Sequence, residues 1–183
     1  MEPKFKIIEF EDIPSTSEKA KELAIQNESP WTVVLARQQS NGHGRKGEAW
    51  FSPEGGLYFS VILPKSSIAD LQTITILAAF VISKIIKDDF NLEPLIKLPN
   101  DILLDGKKVC GVLTENVIMG DKTLVSIIGV GLDTNIKEFP NDLKDISVSL
   151  RQVLFKEIDN NEILEKILSE LKNQLEIINQ NNQ

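Results

Sequence analysis

The chain has 183 residues, which is enough for one domain with an ordinary hydrophobic core and excludes a need for disulfide or metal staples. Hydrophobic residues make up 42% and charged residues 26%, as in globular proteins, and no apolar run reaches membrane-spanning length. The net charge of −7 argues against DNA as the main partner, and the single cysteine excludes an intrachain disulfide. The amino terminus lacks the apolar core of a signal peptide. We therefore expect a cytoplasmic protein with neither DNA nor a membrane as its partner.

The first third of the chain predicts a strand, a capped helix and a buried strand. Residues 5–10 indicate the first strand. Ser15 followed by Glu18 is the signature of a capping box, which predicts a helix from there to about residue 27. The continuous apolar run at residues 31–36 predicts a buried strand.

The middle of the chain predicts one long helix among several strands. Residues 70–87 carry apolar side chains along one helical face. Asp105-Gly106 is a strong signal for a tight hairpin. Cys110 lies in its second arm, where we expect a small buried hydrophobe rather than a reactive thiol. The predicted strands are at residues 57–63, 96–98, 102–104, 109–114 and 122–132.

The C-terminal segment predicts a helix with one apolar stripe, formed by Leu164, Leu168, Leu171, Leu175 and Ile178. Such a stripe fits a coiled-coil seam or packing on a sheet, and we expect the second. The order of elements shows no strict alternation of strands and helices. It therefore indicates an α+β fold with a mixed, largely antiparallel sheet covered by helices on one face.

A glycine-rich loop follows the second predicted strand. The stretch Gly42-His43-Gly44-Arg45-Lys46-Gly47 matches the G-x-G-x-x-G of dinucleotide-binding folds. That motif must open a helix, whereas Pro53 and Gly55-Gly56 prevent one here and a strand comes next. We therefore interpret the stretch as a loop whose glycines admit a ligand closely and whose Arg45 and Lys46 attract an anion. Trp50 adds a flat apolar surface, and a plain solvated loop is the alternative.

A turn and a hairpin arm form the second informative segment. Pro99, Asn100 and Asp101 favour a turn at the end of a strand, and turn formation alone would explain them. Lys107 and Lys108 in the following arm point to opposite faces of their strand, so only one of them readily joins a pocket. The residues themselves do not say which one.

Together these segments resemble the biotin–protein ligase family. That family carries a glycine–arginine loop ending in tryptophan, a Lys-Trp-Pro-Asn-Asp turn and a Lys-x-x-Gly strand that ends in glutamate. The corresponding stretches here are Gly42 to Trp50, Lys97-Leu98-Pro99-Asn100-Asp101 and Lys108 to Glu115. Ser15-Thr16 stands where the family has Ser-Thr before its first helix, and Gly129 to Asp133 resembles a Gly-hydrophobic-Gly-x-Asn strand with Asp133 in the asparagine position.

The resemblance implies a class II synthetase-like core, the biotin–lipoate ligase core. Such an enzyme activates biotin with ATP to biotinyl-5'-AMP and transfers the biotin to a lysine of a biotin carboxyl carrier protein. Mg²⁺ is implied with ATP, although the sequence shows no dedicated metal cage. We further expect residues 1–183 to form a single catalytic domain, with no N-terminal DNA-binding domain and with a C-terminal appendage reduced to helices. The resemblance also implies that the protein can form a homodimer.

The resemblance also implies roles for individual residues. The catalytic residues would be Arg45, Lys108 and Asp101. The biotin-binding residues would be Ser15, Thr16, Gln39, Gly42, Arg45, Lys108 and Gly111. The residues that bind ATP or the adenylate would be Arg45, Lys46, Trp50, Asn100 and Asn135.

Three departures from the family pattern qualify this interpretation. His43 stands where the family has arginine, and a loop histidine ordinarily faces solvent. Glu48 and Ala49 stand where basic residues are common, so fewer cations would close over the adenylate. Leu98 replaces the tryptophan of the turn, which should cost only packing.

Two alternative functions stay open at this point. A lipoate–protein ligase has a similar core, but the glycine–arginine loop favours biotin. A non-catalytic module that binds biotin or a nucleotide is the other alternative, and the intact Arg45 and Lys108 argue against it.

Overall fold

Seven strands form one sheet in the computed structural model, which describes residues 5–64, 70–119 and 122–181. The strands are β1 (Lys6–Ile13), β2 (Thr32–Gln39), β3 (Leu57–Ile62), β4 (Leu95–Lys97), β5 (Asp101–Leu104), β6 (Lys107–Met119) and β7 (Lys122–Leu132). Their order across the sheet is β1-β2-β3-β7-β6-β5-β4. The β1–β2 pair is parallel and the other pairs are antiparallel, so the expected mixed, largely antiparallel sheet is confirmed.

Local signals set the helix boundaries. The helices are α1 (Thr16–Ile25), α2 (Leu71–Phe90), α3 (Leu150–Leu154) and α4 (Asn160–Asn181). The Ser15 hydroxyl accepts a hydrogen bond from the backbone N–H of Glu18, which confirms the predicted start of α1. Asp70 caps α2 in the same way, and Asn91 ends it in the left-handed conformation with φ 52°. No helix in the described ranges is long and apolar enough to cross a bilayer.

Helices cover both faces of the sheet, so the expectation of one covered face is wrong. Successive side chains of a strand point to opposite faces. In β2, Val33 packs in the core with α2 and α4, whereas Val34 packs in a second cluster with Ala20 and Ala24 of α1. The continuous apolar run at residues 31–36 has this physical cause, because both of its faces are buried.

The leucine stripe of α4 is buried, as expected, but its main neighbour is α2 rather than the sheet. Four leucines of the stripe are at most 3% exposed and join the core cluster, namely Leu164, Leu168, Leu171 and Leu175. The fifth member, Ile178, is half-buried. The stripe therefore closes the core within one chain and needs no coiled-coil partner.

The hairpin prediction and the cysteine prediction are both confirmed. Asp105 and Gly106 have φ of 50° and 80°, the left-handed values that a tight hairpin turn requires. Cys110 is fully buried in the core, and burial raises the pKa of its thiol.

One row of cross-strand partners crosses the sheet and carries the site. Its members, from β2 to β4, are Ala36, Tyr58, Gly131, Gly111, Asp101 and Lys97. Neighbouring strands are about 4.8 Å apart, so positions along this row give distances across the sheet. The row lies on the face of the sheet that α1 packs on, here called the α1 face. Two glycines in the middle of the row, Gly131 and Gly111, leave room above the sheet for the side chain of Trp50.

Candidate functional site

A cavity of about 310 Å³ opens on the α1 face of the sheet. Its walls come from the start of α1, the glycine-rich loop, the turn between β4 and β5, and the facing strands β6 and β7. It brings together most residues that the sequence predicts for the site: Ser15, Thr16, Gln39, Arg45, Lys46, Trp50, Asn100, Asp101, Lys108 and Gly111. A cavity of this size suits a small ligand.

One end of the cavity is a network of uncharged polar groups, here called the neutral end. The backbone N–H of Thr16 donates to Gln39 Oε1 at 2.8 Å, and Gln39 Nε2 donates to Ser52 Oγ at 2.9 Å. Deeper in, the Ser60 hydroxyl donates to Thr16 Oγ1 at 2.9 Å, and the Ser17 hydroxyl lies 3.1 Å from Ser60 Oγ. This end suits the uncharged polar head of a ligand, because it offers hydroxyls and amides without a net charge.

The other end carries linked charges and is here called the cationic end. Arg45 Nη1 donates to Asn100 Oδ1 at 3.1 Å, and Asn100 Nδ2 donates to Asp101 Oδ1 at 3.0 Å. Lys108 Nζ lies 2.7 Å from Asp101 Oδ1. A continuous chain of contacts therefore connects the glycine-rich loop to β6 through the turn. The neighbouring Lys107 instead donates to a backbone carbonyl outside the cavity, that of Lys144.

Trp50 lies between the two ends, directly against the sheet. A Cβ atom on Gly131 would lie 2.3 Å from Trp50 Nε1, and one on Gly111 would lie 3.0 Å from Cζ3, so the indole needs both glycines. The ammonium of Lys108 is 5.0 Å from the ring centre. Within the described part of the chain, the buried indole N–H has no hydrogen-bond partner.

Two predicted site residues do not line the cavity. Gly42 lies in the base of the loop, where a Cβ atom would meet Ser52 Oγ at 2.5 Å and Gln39 Nε2 at 2.9 Å. Asn135 holds the chain before α4, because its amide donates to the carbonyl of Ile158 and accepts from the N–H of the same residue. We therefore give Asn135 no adenylate role, and Gly42 acts through packing.

His43 lines the cavity, whereas we expected it to face solvent. Its side chain is only 23% exposed, lines the cavity, and places Nε2 3.7 Å from Glu18 Oε1. The reason is a short antiparallel bridge to Ala49, which folds the loop back onto α1. Lys21 already pairs with Glu18 and Glu115 at 2.8 and 2.9 Å. The ammonium of Lys21 therefore already neutralises Glu18 and Glu115, two carboxylates that could otherwise bind a metal ion together with His43.

Several residues in or beside the cavity were given no role by the sequence. Ser60 lies beside the cavity, where its hydroxyl donates to Thr16, and it could have been found, since it is a polar residue in the otherwise apolar strand β3. Gly129 is needed because a Cβ atom there would lie 2.5 Å from Ser17 Oγ. Lys97 lines the cavity beside Asn100, whereas Leu98 next to it is 69% exposed.

Asp133 is a buried carboxyl group just beyond the cavity strands. It is 3% exposed, and no described residue hydrogen-bonds to its Oδ1. Burial raises the pKa of Asp133 well above its usual range, and the positive charge of Lys108 opposes this shift. The folded protein therefore favours the protonated form of a residue that stands in the family's asparagine position.

Asp133→Asn should stabilise the fold by an amount that grows with pH. Because the folded pKa is raised, the folded state keeps a proton that the unfolded state has released, and the free energy of unfolding falls as pH rises through the folded pKa. Asparagine cannot ionise and avoids this loss, so we expect a gain of about 1–3 kcal/mol at high pH. Thermal melts from about pH 4 to about pH 9 measure it. A difference in melting temperature that is constant with pH would contradict the burial argument.

Known proteins resemble this chain along most of its length. A model of the biotin/lipoate A/B protein ligase family matches residues 9–133. The bifunctional ligase/repressor BirA of Bacillus subtilis (strain 168) is 37% identical over 166 residues, which cover 88% of this chain and 51% of that protein. The biotin–[acetyl-CoA-carboxylase] ligase of Paracoccus denitrificans is 32% identical over 120 residues, covering 62% and 47%. The biotin protein ligase of Aquifex aeolicus in complex with biotin and ATP has a TM-score of 0.86 and 31% identity, covering 96% of this chain and 72% of that one.

The matched range contains all of the described residues that line the cavity. The chain spans about half the length of the curated relatives it matches. Their similarity therefore establishes kinship, while activity must be argued from the site itself. Since the family match covers more than half of the chain and includes the whole cavity, this chain belongs to the biotin/lipoate A/B protein ligase family.

Proposed function

We propose that the protein is an ATP-dependent biotin–protein ligase, which acts in the cytoplasm. One observation carries this proposal: a single cavity joins an uncharged hydrogen-bonding end to a cationic end. Biotin has an uncharged ureido head and a carboxylate tail. Its head suits Thr16 and Gln39, and its tail then points towards Arg45 and Lys108.

The first half-reaction takes place at the cationic end. The biotin carboxylate attacks the α-phosphorus of ATP, the bond to the bridging oxygen breaks, and pyrophosphate leaves with the electron pair. Arg45 and Lys108 stabilise the negative charge that builds up on the α-phosphate. To do so, Lys108 exchanges the carboxylate of Asp101, now 2.7 Å away, for a phosphate oxygen. Trp50 provides the apolar wall for the adenylate.

The second half-reaction uses Asp101 in a new role. The ε-amine of the acceptor lysine attacks the carbonyl carbon of biotinyl-AMP, the bond to the phosphate oxygen breaks, and AMP leaves. The attacking amine must lose a proton. Asp101, freed from Lys108 and partly exposed at the cavity wall, accepts it.

Mg²⁺ enters the proposal only as a companion of ATP. In the described part of the chain the cavity is lined by two carboxylates, Asp101 and Glu48, and Asp101 is held by Lys108. These residues do not form a protein cage for the metal, which in such sites is bound mainly by phosphates and water. No step above depends on the ion.

The acceptor is a biotin carboxyl carrier protein. The name of the Paracoccus denitrificans relative, a biotin–[acetyl-CoA-carboxylase] ligase, supports this choice. A homodimer belongs to the same proposal, because β1 and β4 are the outermost strands of the sheet in the described part of the chain, and an edge strand can pair with another chain. The Bacillus subtilis relative is named both a ligase and a repressor, and we propose only the ligase activity for this chain.

We expect the protein to catalyse ATP–pyrophosphate exchange that depends on biotin and not on lipoate. Lipoate lacks a ureido group, so it cannot make paired hydrogen bonds at the neutral end, and a site built for such bonds rejects ligands without them. The measurement is incorporation of labelled pyrophosphate into ATP with each acid. Equal or faster exchange with lipoate would show a lipoate ligase. Biotin binding without exchange would show a binding module.

A further inference from the structure

Lys97 is a cation on the cavity wall that the proposed mechanism leaves without a task. It ends β4, lines the cavity and is exposed. Its cross-strand partner is Asp101, but the carboxylate of Asp101 is taken by Lys108 at 2.7 Å. Within residues 5–64, 70–119 and 122–181, no acidic group pairs with Lys97. Its charge is therefore available to a ligand.

The row of cross-strand partners gives the direction in which Lys97 lies. The neutral end borders β2 and β3, Gly111 of β6 lies beside the ammonium of Lys108, and Lys97 is two strands further on. Two strand spacings are about 10 Å, a distance that an extended lysine side chain and the phosphate groups of a ligand span together. Lys97 thus stands beyond Lys108 when viewed from the neutral end.

Displacement at phosphorus fixes what should lie there. The attacking and the leaving oxygen stand roughly in line on opposite sides of the phosphorus. If the biotin carboxylate approaches the α-phosphorus from the neutral end, pyrophosphate departs on the opposite side, towards β4. The loop and the turn meet at this place, because Arg45 binds Asn100 at 3.1 Å.

We propose that Lys97 binds the β- and γ-phosphates of ATP and the pyrophosphate that leaves. When the bond between the α-phosphorus and its bridging oxygen breaks, the electron pair stays on pyrophosphate, and the ammonium of Lys97 neutralises part of the new charge. Lys97 is then a catalytic residue of the first half-reaction alone, because biotinyl-AMP carries neither phosphate. This inference rests on the proposed function.

The test separates the two half-reactions in Lys97→Ala. We expect the KM for pyrophosphate, measured as ATP formation from supplied biotinyl-AMP, to rise about 10-fold or more. The KM for ATP in biotinyl-AMP formation should rise similarly. Biotin transfer from supplied biotinyl-AMP to a carrier protein should stay within about 2-fold, since no lost contact is involved. Lys97→Arg keeps the charge and should retain most of the pyrophosphate affinity.

Lys107→Ala is the matched control. It removes a nearby lysine whose ammonium is bound to the Lys144 carbonyl outside the cavity, so neither KM value nor the rate of biotin transfer should change. If Lys97→Ala slows transfer to the carrier and leaves the KM for pyrophosphate unchanged, Lys97 contacts the acceptor protein and the proposal is overturned. If the unmodified protein shows no biotin-dependent exchange at all, the proposed function fails, and this inference fails with it.

Discussion

Lys108→Ala should slow single-turnover formation of biotinyl-AMP about 100-fold. The substitution removes an ammonium of the cationic end, which lies 2.7 Å from Asp101 and 5.0 Å from the centre of the Trp50 ring. It also leaves the carboxylate of Asp101 without its positively charged partner, which adds repulsion towards the incoming phosphates. Biotin affinity should fall less than the rate, because the neutral end is untouched.

The same measurement on Lys107→Ala provides the comparison. Both lysines are neighbours on β6, but the ammonium of Lys107 reaches the carbonyl of Lys144. Its removal should change the rate of biotinyl-AMP formation by no more than a few-fold, and melting curves should show that both variants fold. A larger loss in Lys107→Ala would contradict the assignment of Lys108 to the cavity.

Gly42→Ala should weaken biotin binding roughly 10- to 100-fold, the loss that follows from an overpacked contact. The added methyl group would lie 2.5 Å from Ser52 Oγ, 2.9 Å from Gln39 Nε2 and 2.9 Å from the Trp50 carbonyl oxygen. The carbonyl is backbone and cannot rotate away, so the loop base must move. The hydrogen bond from Gln39 to Ser52 would then break, and the neutral end would lose its shape.

Gly44→Ala is the control in the same loop. The nearest atom to its added methyl group would be the Glu48 carbonyl oxygen at 3.7 Å, an ordinary van der Waals contact. Biotin affinity, measured by isothermal titration calorimetry, should therefore be nearly unchanged in Gly44→Ala. Equal losses in both variants would mean that loop flexibility, rather than the packing at Gly42, governs binding.

Local signals in the sequence predicted much of this architecture. Ser15 marks the start of α1 because a cap involves residues three positions apart, and Asp105-Gly106 marks the hairpin because a tight turn restricts φ. The strand periodicity predicted that Lys107 and Lys108 point to opposite faces, and the structure shows that Lys108 is the one that turns into the cavity.

Long-range contacts account for what the sequence did not predict. The orientation of His43 depends on a loop that folds back onto a helix 25 residues earlier, where Glu18 meets it. Asn135 is held by the chain around Ile158, 23 residues later. The second covered face of the sheet follows from where α1 packs, which no periodicity within α1 specifies. In each case the deciding partner is remote in sequence, so its contribution appears only after folding.

The ion pair between Lys108 and Asp101 affects which anions can bind in the cavity. An anion that reaches Lys108 has to replace a carboxylate that is already 2.7 Å away. Free inorganic phosphate would exchange one ionic contact for another and gain little, even where it is abundant. A nucleoside triphosphate is also held by its base and its terminal phosphates. These further contacts favour the replacement of Asp101 by a phosphate oxygen at Lys108. The carboxylate of Asp101 thus competes with small anions for Lys108 and keeps their binding weak.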